Sequence, residues 1–154
     1  MIDKVLFKET QKFNQWWLWI IIIGAFLIPL FQFNWSENIV GQLTIGKIIP
    51  SALAVVLLVL FLSLKMDTTI TEEKITIKYF PFIKREFFWS ELQFAQVIDY
   101  GFVGGWGIRL WTSYGTVLNV KGTKGLHIKK ADKQYVIGTQ KEKELHSSIA
   151  HLLK

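Results

Sequence analysis

The chain offers three imidazoles as candidate acid–base or metal-binding groups: His127, His146 and His151. His146 and His151 are five apart, which puts them on different faces of a helix, and no Asp or Glu stands at ligand spacing with them. No metal site is expected, and all three read as ordinary surface histidines. Gly41-Gln-Leu-Thr-Ile-Gly-Lys47 fits most of a phosphate-binding loop, but Ile48 occupies the place of the hydroxyl that would hold magnesium. The glycines from Gly101 to Gly107 are spaced superficially like a dinucleotide-binding turn, yet no helical pattern follows them, so they read as a hairpin loop. There is no cysteine, which excludes thiolate chemistry and disulfide stapling. These absences point to a non-enzymatic protein with no catalytic residues and no cofactor.

Two surface features remain. Lys121, Lys124, Lys129, Lys130 and Lys133 place five positive charges within thirteen residues, a candidate patch for anionic lipid. Each lysine near such a surface contributes at most about 1 kcal/mol, within a Debye length of about 8–10 Å. Nucleic acid is not expected, because interleaved arginines and stacking aromatics are missing and only Arg85 and Arg109 exist. The second feature is apolar. Phe82 and Ile83, with Phe102, Val103 and Trp106, put bulky side chains at turns, which are normally polar. Strand alternation places Trp111 opposite Ile108 and Leu110, on an outer face. Together these six residues form a candidate interaction surface.

The elements that carry these groups follow from an uneven composition. The chain has 154 residues, 51% hydrophobic and 15% aromatic, with 18 Lys+Arg against 12 Asp+Glu. Such hydrophobicity excludes a disordered chain, and the length allows one domain or one small domain with a membrane element. Trp16 to Phe33 and Ile48 to Leu64 carry no charge. At 1.5 Å per residue the first run reaches about 27 Å, close to a bilayer's hydrocarbon thickness. Tryptophans at Trp16, Trp17 and Trp19, with Phe31, Phe33 and Trp35 beyond, read as two aromatic belts of a retained span and not as a cleaved signal. The sequon Asn34-Trp35-Ser36 lies too near that span to indicate glycosylation. Three lysines precede the first run, Lys47 alone lies between the two, and 14 Lys+Arg follow. The positive-inside rule then places both termini in the cytoplasm. The expected organisation is a cytoplasmic segment 1–15, a transmembrane hairpin 16–64 with a short outer loop 34–47, and a cytoplasmic domain 65–154. Ile2, Val5, Leu6 and Phe13 recur at helical spacing and suggest a short interfacial helix within 1–15.

After Lys65 the pattern alternates. Ile75, Ile77 and Tyr79 alternate with Lys74, Thr76 and Lys78, as in a half-buried strand, and a turn at Glu72-Glu73 precedes them. Further short strands are expected over 85–89, 92–100, 108–111, 116–120, 126–129 and 134–137. At the end, Thr139-Gln140-Lys141-Glu142 fits a capping box. Leu145, Ile149, Leu152 and Leu153 share one helical face, so a closing helix is expected to cover the sheet.

About seven strands and one terminal amphipathic helix resemble the pleckstrin-homology superfold. The order of the elements is similar to that of bacterial membrane proteins in which two spans precede one PH-like domain. The resemblance rests on the stretch from Thr69 to Phe80, the basic-aromatic Lys84 to Trp89, the run Gly104-Gly105-Trp106-Gly107-Ile108-Arg109, and Tyr135-Val-Ile-Gly-Thr-Gln before the helix. It implies a transmembrane helical hairpin followed by a mainly-β PH-like barrel, in a multi-pass protein of the bacterial inner membrane. PH domains that bind lipid headgroups use basic residues at the first hairpin, whereas Glu72 and Glu73 stand there, which argues against phosphoinositide. The function expected is a membrane-anchored adaptor that binds a protein, a second copy or anionic lipid. An obligate accessory subunit of a larger membrane complex is the alternative.

Overall fold

The structure, a computed structural model, describes residues 4–31 and 45–154. The chain divides into two compact units, one formed by the segment up to Lys12 with Lys65–Lys154, the other by Phe13–Leu64.

The first unit is mainly β. Its strands are β1 (Val5–Lys12), β2 (Lys65–Thr71), β3 (Lys74–Phe80), β4 (Ile83–Phe88), β5 (Leu92–Asp99), β6 (Gly107–Thr112), β7 (Gly115–Asn119), β8 (Lys124–Lys130) and β9 (Lys133–Gly138). They form a four-stranded antiparallel sheet in the order β1-β2-β3-β4 and a five-stranded mixed sheet in the order β5-β8-β9-β7-β6. The mixture comes from β7 and β9, which pair in parallel. Ile70, Ile75, Ile77, Phe87, Leu118, Leu126, Ile128 and Ile137 are all buried between the sheets and their covering helix. The sheets are not closed into a barrel, so the expected PH-like barrel of about seven strands is corrected to two sheets of nine strands among the described residues.

β1 occupies the segment read from sequence as a short helix. Phe7, Glu9 and Gln11 point inward and alternate with exposed Lys8, Thr10 and Lys12. Two of the three inward residues are polar, which hides the period-2 signal. Both have partners there, as burial of polar groups requires. The Gln11 amide donates to the Gly138 carbonyl at 2.7 Å, and the Glu9 carboxylate accepts from the Thr139 hydroxyl at 2.6 Å and the Gln140 N–H at 3.0 Å. β1 thus joins the end of β9 through side chains, where a closed barrel would use a backbone ladder.

The helix α3 (Glu142–Ile149) buries Leu145 and Ile149. Its start departs from the expected capping box. The Thr139 hydroxyl accepts from the Lys141 N–H at 3.0 Å, but Glu142 turns away to Lys124, no side chain caps the helix, and Glu9 of β1 accepts from the Gln140 N–H just ahead of it. A carboxylate at this end of a helix meets free N–H groups and the positive end of the dipole.

The second unit contains α1 (Trp16–Phe31) and α2 (Ile45–Ser63), which pack on each other. Among the described residues, no helix is long and apolar enough to cross a membrane. Sixteen residues of α1 rise about 24 Å, short of a hydrocarbon core of about 30 Å. In α2, Pro50 lies inside the helix, and the unbroken apolar stretch from Ala52 to Leu62 rises only about 17 Å. This overturns the transmembrane hairpin, the inner-membrane multi-pass localisation and the resemblance to two-span PH-like proteins. The sequon, the outer aromatic belt at Phe33 and Trp35, and the loop carrying Gly41 to Thr44 lie outside the described residues.

Candidate interaction surface

One buried side chain organises the glycine-rich loop. Asn119, at the end of β7, is 1% exposed, and its side-chain oxygen accepts from the Gly107 N–H at 3.0 Å. Its amide donates to the Tyr100 hydroxyl at 3.0 Å, and that hydroxyl donates to the Gly122 carbonyl at 3.3 Å. Tyr79 reaches across from β3 and donates to the Asn119 carbonyl at 3.3 Å. Burial raises the pKa of both tyrosine hydroxyls above its ordinary value, so both remain neutral hydrogen-bonding groups. Asn119 therefore ties together Tyr100 and Gly107, the two ends of the loop. The approach is close enough that a Cβ at Gly138 would meet Asn119 Cβ at 2.7 Å.

Between its pinned ends the loop sorts its side chains. Val103 is half-buried, packs against the cluster of Tyr100, Val117 and Val136, and also lines the groove described below. Phe102 turns outward at 74% exposed and meets the half-buried Trp106 edge-on, with ring centroids 6.5 Å apart.

β6 then departs from regular alternation. Its register with β7 runs through Gly107, Ile108 and Arg109, breaks, and resumes at Thr112. Inside the break Trp111 takes φ +57° and stands 93% exposed, with Leu110 exposed beside it. The left-handed conformation is unusual for a bulky residue and costs about 1–2 kcal/mol. The Thr112 hydroxyl fixes the following turn by donating to the Gly115 carbonyl at 2.8 Å and accepting from the Tyr114 N–H at 3.1 Å. The outward placement of Trp111 thus comes from a bulge and not from the expected alternation, under which Leu110 would face the other way.

Between the loop and the bulge lies a groove of about 610 Å³ whose lining includes Tyr100, Phe102, Arg109, Trp111 and Tyr114. The outer edge of β6 runs beside it, with no strand on it among the described residues, since β6 ends its sheet. Phe102 and Trp111 are therefore brought together, with Trp106 behind Phe102. Phe82 and Ile83 are not part of this group. They sit at the β3–β4 turn of the other sheet, with Phe82 exposed and Ile83 half-buried.

The lysine cluster is divided. Lys124 pairs with Glu142 at 2.5 Å and Lys130 with Glu91 at 2.6 Å. The hydrogen bond to Glu142 raises the Lys124 pKa, and the bond from Lys130 lowers that of Glu91. Lys121 and Lys124 stand near the start of β8, whereas Lys129, Lys130 and Lys133 lie near its far end. Five residues of extended chain separate Lys124 from Lys129, about 17 Å, beyond a Debye length. Among the described residues no three His, Asp or Glu side chains group to hold a metal ion.

No protein-family model, no curated protein and no solved structure matches the chain. What can be said of function therefore rests on the geometry. Asn119 and the bulge escaped sequence reading: Asn119 ends a strand like any turn-forming residue, and nothing local marks Trp111 as left-handed. The only available signal was the density of glycines around two tryptophans.

Proposed function

We propose that the β unit is a non-enzymatic binding module that docks a partner protein on the β6 face. The observation that carries this reading is Trp111, almost wholly exposed in a left-handed backbone next to Phe102 and Leu110. Hydrating two large aromatics and holding tryptophan at positive φ both cost stability, and a chain folded for stability alone would place glycine or asparagine there. Buried aromatic anchors dominate the energetics of protein interfaces, so the same side chains become favourable once covered. The divided and partly neutralised lysines support a protein partner over anionic lipid. The test is photo-crosslinking of the full chain in its native cells, with a benzophenone amino acid at position 111 or at position 133. A discrete adduct from 111 and none from 133 is expected. Equal yields from both positions, or binding of anionic vesicles that disappears when the five lysines become glutamine, would displace the reading.

A second observation favours membership of a larger assembly. Ile20, Ile21, Ile49, Val56 and Leu62 on α1 and α2 are exposed, an apolar surface of the kind that obligate subunits cover with partner chains. Stoichiometric co-purification with one other polypeptide would support this, and a stable monodisperse monomer would remove it.

A further inference from the structure

We infer that the partner presents an extended acidic segment, which lies along β6 and places a carboxylate on Arg109. This inference rests on the binding-module reading above and specifies its ligand. Arg109 is the only charged residue lining the groove, which is otherwise aromatic, aliphatic, hydroxylic or glycine. Its Nε is buried and has no hydrogen-bond partner, and among the described residues no carboxylate pairs with the guanidinium. By contrast, Glu86, Glu91, Glu142 and Glu144 are each paired with a lysine elsewhere. A buried donor of a permanently charged group left unpaired is costly, and a planar carboxylate matches the guanidinium fork. The backbone makes room for this arrangement. The guanidinium lies against Gly105, at φ +133°, where any Cβ would collide with it.

An extended segment is favoured over a globular surface by the free β6 edge. Among the described residues no strand pairs with its outward N–H and C=O groups, which a further strand would take, with the apolar neighbours on either side receiving alternate side chains. Charge also separates the candidate occupants. The chain carries a net +6, so a second copy meets like charge, whereas an acidic segment is attracted.

The experiment uses the full chain and two dye-labelled hexapeptides, Asp-Val-Asp-Phe-Asp-Val and its counterpart with Lys for each Asp, followed by fluorescence anisotropy. The acidic peptide is expected to bind at least tenfold more tightly than the basic one. Arg109→Gln should weaken the acidic peptide at least tenfold, with folding verified by thermal melting. The double variant Lys130→Gln/Lys133→Gln, which removes as much or more charge away from the groove, should change binding less than twofold. Equal affinity for the two unmodified peptides, or equal losses in Arg109→Gln and the lysine variant, would overturn the inference. A position-111 adduct that persists alongside that result would show that the binding surface stands and only its acidic ligand is wrong.

Discussion

At one edge of the five-stranded sheet, the Ala95 N–H and C=O in β5 are taken by the Lys154 backbone, at 3.3 and 3.0 Å. The Lys154 ammonium adds bonds to the Trp89 and Leu92 carbonyls at 3.0 and 3.3 Å. At the other edge, β6 is bordered by no further strand among the described residues and carries Leu110 and Trp111 outward on a bulge. An uncovered strand edge with exposed apolar side chains invites unwanted pairing, and folded proteins usually cover or charge such edges. This molecule does so at β5 and not at β6. Both edges face the same physical hazard, and the difference between them supports the proposed docking edge at β6. The bulge adds to the contrast, because it limits the regular part of the free edge to a few residues and leaves room for a short segment more than for indiscriminate stacking.

The largest expected effect comes from removing the residue that holds the open edge in shape. Asn119→Ala deprives Gly107 of its acceptor and Tyr100 of a donor, a loss of about 2–3 kcal/mol. Calorimetry should show Tm falling by about 10 °C or more, with loss of peptide binding. An unchanged Tm would mean that the loop is not pinned through this side chain. Next comes Trp111→Gly, which relieves the left-handed strain and should raise stability by about 1 kcal/mol while abolishing binding. If urea unfolding shows it less stable than the parent, Trp111 is held by packing and the contrast between the edges weakens.

A comparable change should appear at the closed edge. Lys154→Pro deletes the N–H that bonds Ala95 and the ammonium that bonds Trp89 and Leu92, together worth at least about 1 kcal/mol, and should speed exchange of β5 amides at least about fivefold with no effect at β6. Uniform acceleration across the sheet would count against separate edges. The smallest effect concerns the sheet between them. His127 on β8 contacts Phe94 and Tyr114 edge-on and lies 3.0 Å from the Gln134 side-chain oxygen. Burial holds its pKa below the ordinary 6.5, and the Gln134 bond offsets this only in part. The unfolded chain therefore protonates first as pH falls, so stability is complete above about pH 6.5 and declines below it. Denaturant midpoints at pH 7.5 and 5.5 should differ in that direction and converge in His127→Gln. A rise in the parent's stability on acidification would reverse the assignment.

Strand alternation was legible wherever the inward residues were apolar, as in β3, where Ile75, Ile77 and Tyr79 are buried as expected. It failed at β1, whose inward face carries Glu9 and Gln11, because their partners lie about 130 residues away in sequence. The closing helix was visible through Leu145 and Ile149, but the expected capping box does not form, because Glu142 pairs with Lys124 instead. Apolar run length misled for α1 and α2, since uncharged residues count alike whether helical or not, and Pro50 interrupts the second helix from within. At the candidate site, Phe102 and Trp111 were legible as bulky groups in turn-like surroundings. The packing of Val103 against Val117 and Val136 and the ion pairs of Lys124 and Lys130 were not, because both depend on which strands become neighbours.

Amide hydrogen exchange, read residue by residue on the full chain with and without the acidic hexapeptide, tests the open edge most directly. In the free chain the outward amides of residues 107–112 should exchange fast while the β5 amide of Ala95 is protected, and the peptide should slow β6 at least tenfold and leave β5 unchanged. Protection of both edges before any peptide is added, or no slowing at β6 once the peptide is bound, would contradict it.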